Sequence, residues 1–270
     1  MTGRVYTLNN GTTVTDEQLA HWNKYLGTLA TPQEILRWAI VTFPGLFQTT
    51  AFGLTGLATI DMLQKLRDEN PAGTPPVPLI FIDTLHHFPQ TLELLETIQK
   101  KYYTPLGETV HVFRPQSAST EAEFAALQGD LLWERDDVKY DFLVKVEPAA
   151  RAYKTLNVAA VFTGRRRSQG DSRSSLQYVE VDELNHIIKI NPLMLWDFKT
   201  VEQYIKQNGV PCNELLQYGY RSIGDYHSTL PVKEGEDERA GRWKGKTKTE
   251  CGIHETSKFA QYLKDAQGKQ

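Results

Sequence analysis

Cysteine is scarce in this chain. Only Cys212 and Cys251 occur among 270 residues, too few for a disulfide framework or for a cysteine-rich zinc or iron–sulfur site. No apolar run reaches the length of a membrane span, and the N-terminus has no apolar signal-peptide core. The expectation is therefore a cytoplasmic protein in a reducing compartment, with no membrane partner. Charge of one sign is also lacking: the net charge is −3, which argues against nucleic-acid binding through bulk charge. There is neither an internal repeat nor a low-complexity segment. What is present is an ordinary globular composition, 40% hydrophobic and 23% charged, in a chain long enough to bury one sizeable core with small appendages.

Local patterns place the elements. Thr15 to Gln18 and Thr31 to Glu34 are capping-box strings, the second with Pro32 at the first helical position. Each is followed by apolar residues at helical spacing, and these two helices read as an attachment preceding the core. Continuous apolar strands are expected at Leu46 to Phe52, Val77 to Asp83, Val110 to Phe113 and Val158 to Thr163. Helices are expected at Leu57 to Arg67, Gln90 to Tyr102, Thr120 to Leu127 and from Glu147 onward. Tyr178 to Val181 and His186 to Pro192 read as short strands after the core, then Phe198 to Gln207 as a helix opened near Asp197, and Thr256 to Lys264 as a short terminal helix. Apolar strands alternating with helices imply an α/β fold with a parallel sheet covered on both faces. Ligands of such sheets bind beyond the carboxyl ends of the strands. Thr49 to Gly56, Asp83 to His87 and Thr163 to Arg167 lie there.

Three stretches carry chemistry. In the first, Thr49, Thr50, Phe52, Gly53, Thr55 and Gly56 lie between a strand and a helix. Hydroxyls, glycines and free helix N–H groups make an anion site, although a plain strand–helix turn fits the residues too, and neither a Walker loop nor a Rossmann fingerprint is present. The second is Thr163-Gly164-Arg165-Arg166-Arg167-Ser168-Gln169. Arginine forks match phosphate and sulfate, and a solvated basic turn is the alternative. In the third, Arg239, Arg242, Lys244, Lys246 and Lys248 precede Cys251, with His254 three residues beyond it. Neighbouring cations favour the nucleophilic thiolate, whereas Glu250 and Glu255 oppose it. This string is either a mobile loop that delivers a nucleophile onto an anion or a solvated basic tail. His86 and His87, beside Asp83 and Thr84, show no third ligand of metal geometry and read as site lining or structure, and Cys212 reads as an inert thiol.

Glu250-Cys251-Gly252-Ile253-His254 after a basic glycine-bearing run resembles the C-terminal signature of the phosphoadenylyl-sulfate (PAPS) reductases, in their fungal, thioredoxin-dependent form. Residues 49–56 are similar to the modified phosphate loop (PP-loop) of the adenine nucleotide α-hydrolase-like family. Thr-Gly-x-Arg-Arg-x-Gln matches at Arg166, Arg167 and Gln169, with Arg165 at the variable position, and Lys145-Val-Glu-Pro matches with Arg151 one turn on. Cluster-bearing adenylyl-sulfate (APS) reductases carry adjacent cysteines where this chain has Tyr140-Asp141, and a Cys-x-x-Cys where it has Asp225 to Ser228. The resemblance thus implies the branch without an iron–sulfur cluster, acting on the 3′-phosphorylated nucleotide.

That resemblance covers about residues 31–256 and implies a PP-loop fold with a flexible C-terminal catalytic tail. The organisation expected is a helical attachment over 1–30, a nucleotide-binding α/β domain over 31–230 and a basic tail over 231–270. It further implies reduction of PAPS to sulfite and adenosine 3′,5′-bisphosphate in sulfate assimilation. Cys251 is then the nucleophile that becomes S-sulfocysteine, His254 assists it or binds nucleotide, thioredoxin is the electron donor and the protein is a homodimer. Candidates for the 3′-phosphate are Lys145, Arg151, Arg166, Arg167, Arg239, Arg242 and Lys244; two charge-assisted hydrogen bonds would favour PAPS over APS roughly a hundredfold to ten-thousandfold. Three other readings remain: a PP-loop enzyme that adenylates with ATP, a non-catalytic PAPS-binding sensor, and an APS reductase.

Overall fold

Short runs of apolar and β-branched residues build a six-stranded sheet in the computed structural model, which describes residues 3–170, 173–245, 248, 250–254 and 256–267. Its strands are β3 (Leu46–Thr50), β4 (Leu79–Ile82), β5 (His111–Phe113), β6 (Ala160–Phe162), β7 (Val179–Asp182) and β8 (Ile187–Ile190), in the order β5-β4-β3-β6-β8-β7. All neighbours pair in parallel except the edge strand β7, which is antiparallel to β8. Ala160, Val161 and Phe162 of the central β6 are at most 1% exposed, as expected of a strand covered on both faces. The register sets Gln48 beside Phe162, and Phe162 beside Ile190. The ends of β3, β6 and β8 are therefore level and open on one side of the molecule. The two strands expected outside the core, at 178–181 and 186–192, belong to this sheet: Ile187, Ile188 and Ile190 are all fully buried.

Helices cover both faces. α1 (Asp16–Leu26) and α2 (Pro32–Thr42) start on the two expected capping boxes, with both reciprocal hydrogen bonds made in each. Trp22, Trp38 and Phe43 pack edge to face at 5.3–5.7 Å between centroids. Before α1, residues 3–15 form a hairpin of β1 (Val5–Thr7) and β2 (Thr13–Thr15) that the sequence pattern does not announce. Leu8, Val14 and Leu26 enter the main hydrophobic core.

α3 (Leu54–Glu69) begins a turn earlier than its periodicity indicates. It is buried around most of its circumference in its first half, so it shows no amphipathic stripe there. α4 (Pro89–Ile98) widens into a π turn at Gln99–Tyr103, and α5 (Glu121–Gln128) follows on an N-cap from Thr120.

Glu147 opens an α-helix as expected, but the chain before it is already helical. α6 (Leu132–Arg135) and α7 (Asp137–Asp141) lead through a π turn, Phe142–Val146, into α8 (Glu147–Thr155). The Glu147 N–H bonds back to the Phe142 carbonyl, and Pro148, which has no N–H to give, is accommodated by that wider turn. α9 (Phe198–Gln207) starts on an Asp197 cap as expected. The tail ends in a 3-10 turn, Thr256–Phe259, and α10 (Ala260–Gln267), with Phe259 and Leu263 buried against Phe142 and Val146. The tail thus lies folded onto the core. Lys246 and Glu255, named above for their charge, lie outside the described residues. Among the described residues no helix is long and apolar enough to cross a membrane.

Candidate active site

A cleft, partly open to solvent, lies over the carboxyl ends of β3, β4, β6 and β8. Its floor is the turn from β3 into α3. Thr50 Oγ1 accepts the Phe52 N–H at 2.9 Å, which holds Phe52 at a φ of 57°. The turned Phe52 ring stacks on Phe81 at 5.0 Å, beneath the cleft rather than in it. Gly53 caps α3 without any side-chain hydrogen bond, so the first N–H groups of a sixteen-residue helix face the cleft without a side-chain acceptor, an arrangement suited to an anion. Gly56 must be glycine: a Cβ there would lie 2.3 Å from Thr50 Oγ1. Gly164 sits against the same turn, its Cβ position 3.3 Å from the Gly56 nitrogen. Thr49, Thr163 and Gln169 also line the cleft.

The arginine turn divides its three side chains. Arg166 is buried, gives Nε to Thr55 Oγ1 at 2.9 Å and pairs with both carboxylate oxygens of Glu238 at 2.6 and 2.7 Å. Arg165, at the variable position of the resemblance, also lines the cleft and pairs with Glu180 at 2.6 Å. Arg167 does not: its N–H bonds the Met194 carbonyl, and its Nε turns away to the Leu176 carbonyl at 2.8 Å. Asp83, Arg151 and Lys244 lie off the cleft as well. Asp83 pairs with Arg114 at 2.7 Å, Arg151 is one helical turn from its partner Glu147, and Lys244 is exposed.

The tail closes the other side. Cys251 is half-buried on the cleft wall. Burial pushes its thiol above the ordinary cysteine value, and Lys145 pulls it back only in part. Glu250 accepts the Cys251 N–H at 2.9 Å and holds Arg173 through both oxygens at 2.6 and 2.7 Å; Arg239 approaches the same carboxylate at 3.3 Å. The thiolate suggested by the charge count is therefore opposed by desolvation and by a neighbouring carboxylate. Burial drives His254 well below the usual histidine value, and Arg165, Arg173, Lys189 and Arg239 reinforce the shift. The ring is neutral, and its only contact with Cys251 given by the backbone is the His254 N–H to the Cys251 carbonyl at 2.9 Å. Two buried polar atoms here have no hydrogen-bond partner: His254 Nδ1 and Arg242 Nε. Arg242 and Arg239 lie over the Trp243 ring at 4.5 and 5.5 Å. In all, eight lysines and arginines line the cleft against three carboxylates (Asp225, Glu238 and Glu250). The unpartnered Arg242 Nε donor in so cationic a cleft calls for an anionic ligand.

Residues 45–231 match the phosphoadenosine phosphosulfate reductase domain. The chain belongs to the phosphoadenosine phosphosulfate reductase family. It is 66% identical to the phosphoadenosine phosphosulfate reductase of Saccharomyces cerevisiae over 97% of this chain and 98% of that one. The crystal structure of a Candida auris PAPS reductase, a phosphate complex, superposes with a TM-score of 0.72 at 54% identity, covering 81% of this chain and 99% of that chain. A more distant relative, adenosine 5′-phosphosulfate reductase 2 of Bacillus subtilis, is 33% identical over 87% of this chain and 96% of its own length. The chain is thus an enzyme of the PAPS reductase family, with the α/β fold of its solved relative.

Within this family member, the positions at which cluster-bearing relatives were expected to carry cysteines converge in space. Tyr140 Oη donates to Asp225 Oδ2 at 3.1 Å and lies 2.9 Å from His227 Nε2. His227 stacks flat on Trp133 at 4.2 Å. Lys145 is held between Asp225 at 2.7 Å and Asp141 at 2.8 Å. Burial pushes the Asp225 carboxyl up, but Lys145, His87 and the Thr84 hydroxyl together outweigh it and hold the group far below the usual carboxylate range.

Several cleft residues were not singled out from the sequence: Tyr153, Arg165, Arg173, Lys189, Arg221, Glu238 and Trp243. Lys189 had a legible signal, being the one cation inside the apolar run 186–192. It is buried, pairs with Asp182 at 2.6 Å and donates to the Ile253 carbonyl of the tail at 2.9 Å. Arg173 and Glu238 had none, because their partners are 77 and 72 residues away.

Proposed function

We propose that this enzyme reduces PAPS to sulfite and adenosine 3′,5′-bisphosphate, with Cys251 as nucleophile and thioredoxin as the reductant. The observation that carries the reading is Cys251 on the wall of a cationic cleft, between the uncapped N-terminus of α3 and the arginine turn. The thiolate attacks the sulfate sulfur. The bond from that sulfur to the bridging oxygen breaks, and its electron pair leaves on the phosphate of adenosine 3′,5′-bisphosphate. The α3 N–H groups and cleft cations offset the developing negative charge. The product on the protein is S-sulfocysteine. A thiolate of reduced thioredoxin then attacks the Cys251 sulfur and expels sulfite, and the second thiol of thioredoxin resolves the mixed disulfide to regenerate Cys251. Sulfur is reduced by two electrons and the dithiol is oxidised by two. Neutral His254 suits nucleotide contact through Nδ1 better than proton abstraction from the thiol.

We place the reaction in cytoplasmic sulfate assimilation, in a homodimer without an iron–sulfur cluster. In support of the last point, Tyr140, Asp141, Asp225 and Ser228 stand where cluster ligands would be, and none is a thiol.

Intact-protein mass after incubation with PAPS, or with APS, in the absence of added thiol tests the reading. A gain of one sulfo group with PAPS, lost in Cys251→Ser and erased by reduced thioredoxin with release of sulfite, is the expected result. Equal gain with APS overturns the choice of nucleotide. No gain with either, in reduced protein that binds them, overturns the nucleophile in favour of a sensor or an adenylating enzyme.

A further inference from the structure

We infer that Asp141 is a positioning residue for Cys251, docking the tail through one carboxylate oxygen while the other holds Lys145. Asp141 is 2% exposed. Its Oδ1 accepts Lys145 Nζ at 2.8 Å. Its Oδ2 accepts the Gly252 N–H at 3.2 Å and the ammonium of Lys248, both from the tail. Lys145 already has a second buried carboxylate, Asp225, at 2.7 Å, so Asp141 is not needed merely to neutralise it. The oxygen that Lys145 leaves free is the one taken up by the tail. The two tail donors lie on either side of Cys251, one three residues before it and one directly after.

Packing makes the dock close. A Cβ on Gly252 would stand 2.9 Å from Val146 Cγ2 and 3.0 Å from the Phe259 ring, so the Gly252 backbone rests directly on the π turn that follows Asp141. Burial pushes the Asp141 carboxyl up, but Lys145 and Lys248 outweigh it and hold the group below the usual range, charged at neutral pH. A charged acceptor binds both tail donors more strongly than a neutral amide would. Lys189 tethers the far side of the tail at the Ile253 carbonyl. The tail segment 250–253 is therefore gripped on both sides of the thiol.

The inference rests on Cys251 being the nucleophile, so its test includes a readout that needs no turnover. Hydrogen exchange of the Gly252 amide is measured in ligand-free wild type, Asp141→Asn and Lys248→Met, with core amides of α3 as reference. Both variants are expected to speed Gly252 exchange about tenfold while α3 amides are unchanged, and the double variant to add little to Asp141→Asn, because both remove one dock. In single turnover with PAPS, sulfo transfer to Cys251 is expected to fall about tenfold in each single variant, with the affinity for adenosine 3′,5′-bisphosphate retained. Unchanged Gly252 exchange in both single variants overturns the dock, as does equal acceleration in α3, which would mark general loosening. If wild type itself takes up no sulfo group while the exchange arm behaves as stated, the proposed reaction fails and the dock stands.

Discussion

Lys145→Met is the most telling perturbation of this site, because it separates the charge of a buried cation from its volume. Lys145 lies between Asp141 and Asp225, all three nearly inaccessible. Methionine fills similar space and leaves Asp225 with hydrogen bonds from Thr84 and Tyr140 and with His227 Nε2 at 3.8 Å, but without its lysine counter-ion. Removing one partner of a buried pair costs about 3–5 kcal/mol. With a urea slope of about 3 kcal/mol per molar, the unfolding midpoint at pH 7.5 is expected to fall by roughly 1–1.7 M.

The pH dependence gives the sharper check. In wild type, Asp141 and Asp225 are held below their unfolded values. The stability they contribute is fully present above the unfolded carboxylate range, about pH 4, and is lost only below it, so between pH 7.5 and 5 they leave the curve flat. Without Lys145, burial dominates and the Asp225 carboxyl rises above its unfolded value. Such a group takes up a proton on folding, so the variant gains stability as pH falls from 7.5 to 5. Urea melts followed by tryptophan fluorescence at pH 7.5, 6 and 5 measure it. A loss below about 1 kcal/mol at pH 7.5, or a difference between variant and wild type that does not shrink toward pH 5, refutes the claim that Lys145 compensates these carboxylates.

Other consequences are equally direct. Because burial raises the Cys251 thiol, sulfo transfer measured in single turnover should climb with pH between 7 and 8.5, by about tenfold per unit while the thiol is protonated; a plateau already at pH 7 would contradict this, and Lys145→Met should move the rise to higher pH. Gly56→Ala, whose Cβ would strike Thr50 Oγ1, should cost about 1–3 kcal/mol and weaken adenosine 3′,5′-bisphosphate binding in calorimetry. Cys251→Ser should abolish sulfite release but retain nucleotide binding, whereas Cys212→Ser, at an exposed thiol, should leave turnover within twofold of wild type, roughly the scale of a neutral surface change.

The legible parts of the fold were those set by local chemistry. Thr15, Thr31 and Asp197 are caps that work through the next three residues, and the apolar runs of β3, β4 and β6 are buried whichever neighbours they find. The hairpin at residues 5–15 and the π turn before Glu147 escaped because neither has a periodicity of its own; Pro148 gave a helix-start signal that the preceding π turn absorbs. The site was legible where residues cluster in sequence, as in the Thr49–Gly56 turn and around Cys251. It was misjudged where orientation decides. Arg165 and Arg167 are chemically identical, and the bonds that fix the turn, from the Arg165 N–H to Thr163 Oγ1 and from the Arg167 N–H to the Met194 carbonyl, determine which one faces the cleft. The carboxylates that neutralise the arginines could not be paired from sequence, since Glu180, Glu238 and Glu250 reach their partners through the fold.

That pairing sorts the cleft cations into two kinds. Lys145, Arg165, Arg166, Arg173 and Lys189 each have a carboxylate within 2.8 Å, and Arg239 shares Glu250 at 3.3 Å. Among the described residues, Arg221 and Arg242 have none; they lie over Phe198 and Trp243 instead. A paired arginine can serve an anion only by giving up its carboxylate, whereas an unpaired one gains a counter-ion it lacked. Burial already lowers the affinity of Arg242 for its proton, so its unliganded charge is a cost to the fold. Arg242→Met is therefore expected to leave stability unchanged or raise it, while weakening adenosine 3′,5′-bisphosphate binding about tenfold to a hundredfold, the scale of one charge-assisted hydrogen bond. Arg166→Met should do the reverse in stability, because it strands Glu238 without its partner at a cost of about 3–5 kcal/mol. Calorimetric affinity and urea midpoints on the two variants test the division. Equal losses of stability in both would mean that the unpaired arginine is held by the fold as firmly as the paired one, and that the cleft keeps no cation in reserve for its ligand.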